Sequence, residues 1–160
     1  MMKAILWGSV VGLLVLLGCT RNLVHERTDA SLPVVKDDPI DLNGAIAKAK
    51  SEDKIVLLDF TGSDWCPPCI EMHKEIFSQP AFQSYAESNL VFLVVDFPTK
   101  GRLPADASAT NDLLAQQFNI EGFPTLVALN GDGKQIWQHL GFIEGGPRKL
   151  QQELDAARKK

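Results

Sequence analysis

Two mainly apolar runs, Lys54 to Phe60 and Leu90 to Val95, constrain the fold of this 160-residue chain more than any other feature. A strand with one face in water alternates apolar and polar residues, whereas a strand covered on both faces reads as a continuous apolar run. Segments whose apolar residues have helical spacing lie before, between and after the two runs. We therefore predict strands that are buried on both faces by helices.

The rest of the chain completes this pattern. Helices are expected from Asp41 to Lys50 and from Cys69 to Pro80, with a short helical stretch after Pro80. Two more are expected, one from a cap at Thr110 or Asn111 to Phe118 and one from Pro147 to Lys159. Asn130-Gly131-Asp132-Gly133 is typical of a hairpin turn and joins predicted strands 125–129 and 135–140. The order α-β-α-β-α-β-β-α predicts one α/β domain over residues 40–160, with a mixed β-sheet flanked by helices.

Residues 1–18 differ from everything after them. Lys3 precedes an apolar run from Ala4 to Leu17. A permanent membrane-spanning helix needs roughly 20 apolar residues, so the run is too short to span a bilayer, but it has the length of the apolar part of a signal peptide. We predict that this segment directs export and is removed.

The segment Leu16-Leu17-Gly18-Cys19 resembles the processing site of bacterial lipoproteins, in which cleavage leaves the cysteine as a lipid-modified N-terminus. This resemblance implies lipidation of Cys19 and attachment of the protein to a membrane of the bacterial cell envelope, on the periplasmic or extracytoplasmic side. Residues 19–39 are polar and lack periodicity, so we interpret them as a flexible tether. Without lipidation, the protein would be periplasmic or held by an uncleaved helix.

The charge of the chain limits its partners. The formal net charge is −4 at pH 7, and removal of residues 1–18 makes the mature chain more negative because the only charged residue lost is Lys3. Nucleic acid is therefore excluded as an expected partner. We expect a monomer.

The mature domain carries two cysteines, Cys66 and Cys69, in the segment Trp65-Cys66-Pro67-Pro68-Cys69. A loop this short restrains the unfolded chain little, and its position between a buried strand and a helix favours redox chemistry over a structural crosslink. At the start of a helix, the unpaired N–H groups and the helix dipole stabilise a Cys66 thiolate. Cys66 is the predicted nucleophile and Cys69 the resolving thiol, while Pro67 and Pro68 stiffen the turn.

The CxxC segment and the later Gly122-Phe123-Pro124-Thr125 resemble the active-site and cis-proline motifs of the thioredoxin superfamily, in particular its membrane-anchored periplasmic disulfide oxidoreductases. The resemblance extends from about Ile40 to the C-terminus. It implies a thioredoxin-like fold and a cis Phe123–Pro124 bond facing the cysteines. It also implies that Trp65, Phe123 and Pro124 contact protein substrates, and that the redox-active disulfide is the only cofactor.

Asp59 resembles the buried acid that moves protons for the resolving thiol in this superfamily. The spacing departs from the family pattern, because Asp59 lies seven positions before Cys66 rather than six. The extra residue falls in Thr61-Gly62-Ser63-Asp64. A carboxyl within an apolar run is costly unless it is used or paired, so we predict that Asp59 is a proton carrier.

Two other functions stay open. Cys66, Cys69 and His73 have helical spacing and could hold copper or zinc, although His73 is expected on the surface and no fourth ligand is evident. A binding module without catalysis would also keep the fold. Within the redox interpretation, the Trp-Cys-x-Pro-Cys context favours a reductant or an electron relay supplied by an unidentified redox donor. The direction of electron flow and the client protein are not determined by these motifs.

Overall fold

The computed structural model describes residues 39–159. The helices are α1 (Leu42–Glu52), α2 (Pro67–Met72), which continues into a π-helical turn (His73–Phe77), α3 (Pro80–Asn89), α4 (Ala105–Gln117) and α5 (Gly146–Arg158). The strands are β1 (Ile55–Thr61), β2 (Leu90–Asp96), β3 (Thr125–Leu129) and β4 (Gln135–Leu140). The predicted signal peptide, Cys19 and the predicted tether up to residue 38 lie outside the described residues. Between residues 39 and 159, no helix has the length and apolar character needed to cross a membrane.

The strands form one sheet in the order β2-β1-β3-β4. β1 is parallel to β2 and antiparallel to β3, and β3 is antiparallel to β4. The predicted mixed sheet is therefore confirmed. In the register of β1 and β2, Asp59 lies beside Val94 and Thr61 lies beside Asp96, which brings polar residues of the two strands together on one face at their carboxyl ends.

Each face of the sheet carries its own apolar core, because successive residues of β1 point to opposite faces. Ile55 and Leu57 belong to a core with residues of α2, α3 and α5, whereas Val56, Leu58 and Phe60 belong to a core with residues of α1 and α4. All residues of β1 are buried, as its apolar sequence predicts. Asp59 and Thr61 continue the face that packs against α2.

β2 departs from the sequence prediction. Residues 91–94 are only half-buried, although the run from Leu90 to Val95 predicts a strand covered on both faces. The reason is the strand order, because β2 lies at the edge of the sheet and β1 covers only one of its sides. An apolar run indicates a strand, but the position of that strand in the sheet decides its burial.

The start of α4 also differs from the prediction. This helix begins at Ala105 with Pro104 at its cap, rather than at Thr110 or Asn111. Asn111 is buried within the helix, and its Nδ2 donates to the backbone oxygen of Asp96 at 2.8 Å. Asn111, predicted as a helix cap, therefore links α4 to the end of β2 through a hydrogen bond.

The hairpin between β3 and β4 forms as predicted. The side chain of Asn130 accepts hydrogen bonds from the backbone N–H groups of Asp132 and Lys134, both at 3.0 Å. Gly133 has a φ of +75°, a conformation that favours glycine. Asparagine at the start of a tight turn and glycine at its positive-φ position are the residues that such a turn requires.

Candidate active site

The CxxC segment opens α2. Cys66 has extended backbone geometry at the helix cap, and its carbonyl oxygen accepts hydrogen bonds from the N–H groups of Cys69 and Ile70, both at 3.1 Å. Pro67 and Pro68 occupy the first helical positions, where a missing N–H leaves no bond unmade. The local sequence therefore places Cys66 at the positive end of the helix, as predicted.

Cys66 and Cys69 form a disulfide, with an S–S distance of 2.09 Å and a Cα–Cα distance of 5.3 Å. Each residue is only 3% exposed. The predicted pairing of the two cysteines is thus present in the structure. Which sulfur reacts first stays a prediction from the position of Cys66 at the helix start.

The turn before Cys66 accommodates the extra residue. The carbonyl oxygen of Gly62 accepts hydrogen bonds from the backbone N–H groups of both Trp65 and Cys66, at 3.2 and 2.9 Å. A Cβ added to Gly62 would lie 2.5 Å from the indole ring of Trp65. Glycine is therefore required here for the close approach of that ring.

An aromatic cluster flanks the disulfide. The Trp65 side chain is 44% exposed, and its Nε1 donates to the backbone oxygen of Phe97 at 2.7 Å. The centroid of its ring lies 5.8 Å from that of Phe123, and the two rings meet edge to face. The ring centroids of Phe123 and Phe97 lie 5.1 Å apart. The Phe123–Pro124 peptide bond is cis, and Pro124 is buried. The structure thus brings Trp65 and Phe123, which are far apart in sequence, into contact.

Asp59 lies under α2, where its side chain shares a cavity with Cys69. The residue is 5% exposed, and its Oδ1 has no hydrogen-bond partner among the described residues. The cavity has a volume of about 190 Å³. Its lining consists of Asp59, Thr61, Ser63, Cys69, Ile70, His73, Val94 and Asp96. Despite the offset in spacing, the fold therefore places this carboxyl and the second cysteine around one space.

The environment of Asp59 favours its protonated form. Burial, which removes water from the charged form, is the main cause, and the negative charge of Asp96 adds to it. Together they raise the pKa of Asp59 to about 8, from 3.8 in an exposed aspartate. A carboxyl that gains and loses its proton near neutral pH, beside a cysteine sulfur, is suited to proton transfer.

Asp64 and Asp96 have roles that the sequence reasoning missed. The Asp64 carboxylate accepts backbone hydrogen bonds from Thr99 and Lys100, which hold the loop after β2 and lower the pKa of Asp64. Asp96 accepts two hydrogen bonds from Ser63 beside the cavity. Asp64, in the turn before Cys66, is half-buried. In the sequence, Asp96 ends one apolar strand run and Asp59 lies within the other. This pattern could have identified Asp96 as a second candidate carboxyl.

His73 is exposed, in agreement with the prediction, and its Nδ1 lies 3.2 Å from the Ser78 hydroxyl. It also lines the cavity next to Cys69. In the part of the chain that the structure describes, no group of three or more His, Cys, Asp or Glu side chains is arranged to hold a metal ion.

Known proteins resemble this chain in both sequence and structure. A family model described as a thioredoxin-like domain matches residues 42–158. The disulfide bond reductase DsbH of Chlamydia pneumoniae is 38% identical over 102 residues, which cover 64% of this chain and 61% of that protein. A solved structure of a DsbH oxidoreductase has a TM-score of 0.68 and 31% identity, and the match covers 84% of this chain and 94% of the other.

A second group of relatives is larger than this chain. The thiol:disulfide interchange protein DsbD of Actinobacillus pleuropneumoniae is 35% identical over 96 residues, which are 59% of this chain and 15% of DsbD. The chain thus spans less than two thirds of the length of these curated relatives. The family model, which matches residues 42–158, covers both cysteines and the sheet that carries Asp59. At the level of this domain, the predicted thioredoxin-like fold and the predicted thiol–disulfide oxidoreductase class are confirmed, and the chain belongs to the thioredoxin-like domain family.

Proposed function

We propose that this protein reduces disulfides in protein substrates outside the cytoplasm, as a reductant or an electron relay. The observation that carries the proposal is the Cys66–Cys69 disulfide at the start of α2, beside a cavity that contains a buried carboxyl. Its relatives include a disulfide bond reductase and a thiol:disulfide interchange protein, which support the same chemistry and favour the reducing direction.

The reaction follows from the two sulfurs. In the reduced protein, the Cys66 thiolate attacks one sulfur of a substrate disulfide, so that a mixed disulfide forms and one substrate thiolate leaves and takes a proton. The Cys69 thiol then loses its proton and attacks the Cys66 sulfur. The second substrate sulfur leaves, and the Cys66–Cys69 disulfide forms. Two electrons pass to the substrate, and an external dithiol donor restores them by the reverse sequence.

Asp59 is the proposed proton carrier for Cys69. As a carboxylate it accepts the proton that Cys69 loses when it attacks the mixed disulfide. As a carboxylic acid it returns a proton to the Cys69 sulfur when the donor opens the disulfide. The shared cavity supports this assignment, and a pKa of about 8 lets Asp59 act in either form near neutral pH.

The substrate-binding surface is proposed to include Trp65, Phe123 and Pro124. Trp65 is an exposed large aromatic residue directly before Cys66, and its contact with Phe123 continues the apolar surface from the CxxC segment to the cis-proline loop. Ile70, next to Cys69 and 47% exposed, is a further large apolar side chain exposed near the cysteines. Aromatic side chains supply large contact areas at low entropic cost, which suits a surface that accepts polypeptides.

The location of the protein is also part of the proposal. The predicted signal peptide (1–18) and lipidation of Cys19 would hold the domain at the bacterial cell envelope on a tether over residues 19–39. The relatives described above are bacterial Dsb proteins, which supports the envelope assignment. We propose that the protein works as a monomer, with the Cys66–Cys69 disulfide as its only redox group.

The activity is tested with the full chain in non-ionic detergent, by the reduction of insulin with dithiothreitol as the electron source. Cys66→Ser should abolish the catalysed rate. Cys69→Ser should accumulate a mixed disulfide with insulin, because the resolving thiol is missing. Cys19→Ser is the matched control, since it removes a cysteine outside the domain and should leave the rate unchanged. Equal rates with and without Cys66 would contradict the proposal.

The direction of electron flow is tested by the reduction potential of the Cys66/Cys69 couple against glutathione. Thioredoxin-like reductants and strong periplasmic oxidants differ by about 150 mV, or about 7 kcal/mol in the stability of the disulfide relative to the dithiol. We expect a reduction potential of about −270 mV. A reduction potential of about −120 mV would show an oxidant and overturn the assigned direction.

A further inference from the structure

Two buried carboxyl groups line the cavity behind the disulfide. Asp59 is 5% exposed and Asp96 is 8% exposed, and both belong to the lining that includes Cys69. Two negative charges on buried groups around one small cavity repel each other. One of the two groups therefore carries a proton at neutral pH.

Hydrogen bonding determines which of the two carboxyl groups carries the proton. The backbone N–H of Ser63 donates to Oδ1 of Asp96 at 2.9 Å, and the Ser63 hydroxyl donates to Oδ2 at 2.5 Å. Both oxygens of Asp96 are thus occupied by donors, which favours the charged form of a carboxyl. Oδ1 of Asp59 is buried without a partner among the described residues, which favours the neutral form. The proton belongs on Asp59.

We propose that Asp96 is a positioning residue for proton transfer, whose negative charge, held by Ser63, keeps on Asp59 the proton that the Cys69 sulfur receives when the disulfide opens. This inference rests on the proposed role of Asp59 as the proton carrier. It adds a second carboxyl and a serine that the motifs in the sequence do not identify.

The proton-transfer step balances when a dithiol reduces the protein. A donor thiolate attacks the Cys66 sulfur, the Cys66–Cys69 bond breaks, and Cys69 leaves as a thiolate. Asp59 gives its proton to that sulfur and becomes a carboxylate. The second donor thiol releases its proton to solvent, and the resulting thiolate attacks the donor sulfur bound to Cys66. Cys66 leaves as a thiolate, so that the donor becomes a disulfide and its two electrons reside on the two cysteines. Asp96 keeps its charge throughout and exchanges no proton in this step.

Other groups that face Asp59 must be considered. Cys69 faces it from α2 and is part of the disulfide, and His73 lines the cavity from the π-helical turn. A positive charge on His73 would oppose the effect of Asp96. The effect assigned to Asp96 must therefore persist in a His73→Gln background.

The direct test is a carboxyl ¹³C NMR titration of the oxidised full chain in detergent, with Asp59→Asn used to assign the Asp59 signal. In Asp96→Asn we expect the Asp59 midpoint to fall by about one pH unit, because the repelling charge is gone. Asp112→Asn, at an exposed position on α4, is the matched control and should not move the midpoint. An unchanged Asp59 midpoint in Asp96→Asn would overturn the inference.

Kinetics give an independent readout. A downward shift of one pH unit lowers the protonated fraction of Asp59 at pH 8 about fivefold and changes it little at pH 6. Reduction of the disulfide by dithiothreitol should therefore be about fivefold slower in Asp96→Asn than in the native protein at pH 8, and equal at pH 6. A loss that is the same at both pH values would indicate a merely structural role and would contradict the proposal.

The outcomes separate this inference from the proposed function. If Asp59→Asn matches the native rate at every pH, the role of Asp59 as proton carrier fails, and with it the assignment of Asp96. If Asp59→Asn is slow but Asp96→Asn is native at both pH values, only the inference about Asp96 fails. Should Asp96→Asn not fold, Ser63→Ala takes its place, because the backbone bond to Asp96 remains. It should shift the Asp59 midpoint upward by a smaller amount, because Asp96 keeps its charge and loses one of the donors that offset it, and no shift would refute the inference.

Discussion

Replacing Asp59 by Asn removes a carboxyl that the folded protein holds in its protonated form, so the substitution should change how stability depends on pH. Burial and the charge of Asp96 raise the pKa of Asp59 to about 8, compared with 3.8 when the group is exposed. The folded state therefore binds a proton that the unfolded state releases above about pH 4. The contribution of Asp59 to stability is complete below pH 4 and is lost as the pH rises towards 8.

The size of this effect follows from the two pKa values. Between about pH 5 and pH 7, the unfolded chain has lost the Asp59 proton and most folded molecules retain it, so unfolding releases nearly one proton. The free energy of unfolding should then fall by about 1.3 kcal/mol per pH unit because of this group, or about 2.6 kcal/mol over the interval. Asp59→Asn lacks this dependence. Relative to the native protein, the variant should gain about 2.6 kcal/mol of stability between the two pH values.

Urea denaturation of the oxidised full chain at about pH 5, 6 and 7 measures this difference, and the comparison cancels the titration of all other groups. A constant offset from placing the Asn amide in the cavity does not alter the slope. Asp112→Asn controls for the loss of one carboxyl, and its difference from the native protein should stay within about 0.5 kcal/mol. If Asp59→Asn and the native protein have parallel pH profiles, Asp59 does not hold a proton in the fold and the reasoning is refuted.

Three further substitutions test other parts of the structure. Gly62→Ala should destabilise the fold by about 1–3 kcal/mol, because the new methyl group displaces the Trp65 ring. The displaced indole N–H should then exchange its hydrogen with solvent. An indole N–H signal that stays protected in NMR would contradict the required close approach of the ring to Gly62. Asp64→Ala should increase amide exchange at Thr99 while leaving the disulfide intact, since it removes the acceptor that holds the loop; unchanged exchange at Thr99 would show that the loop is held by other contacts. Phe82→Ala, at a fully buried position of α3 that packs against the ring of Phe77, should cost about 3–5 kcal/mol in thermal or urea unfolding, and a loss below about 1 kcal/mol would show that the core collapses around the gap.

Much of the fold could be predicted from the sequence because the signals are local. The apolar run of β1, the Asn130 hairpin and the prolines that open α2 and α5 depend on residues close together in the chain. The cysteine pair is also local, since residues three apart meet at the start of a helix. These features follow from backbone geometry and from the burial of apolar side chains, and both can be read within a short window.

The start of α4 and the burial of β2 could not be predicted in the same way. Thr110 and Asn111 are good capping residues, but Asn111 is buried within the helix because it bonds to the backbone of Asp96 in another element. Similarly, the apolar run of β2 does not show that this strand would form the edge of the sheet. Contacts between distant segments outweighed the local preference in both cases.

The sequence by itself determined the redox pair, its position at a helix start, and the presence of a carboxyl within β1. Only the tertiary structure decided what that carboxyl faces. Parallel pairing of β1 with β2 brings Asp96 to the cavity shared by Asp59 and Cys69, and the turn after β1 places the Ser63 donors on Asp96. The proton affinity of a buried group depends on the charges, donors and water around it, and these come from segments that are separated along the chain.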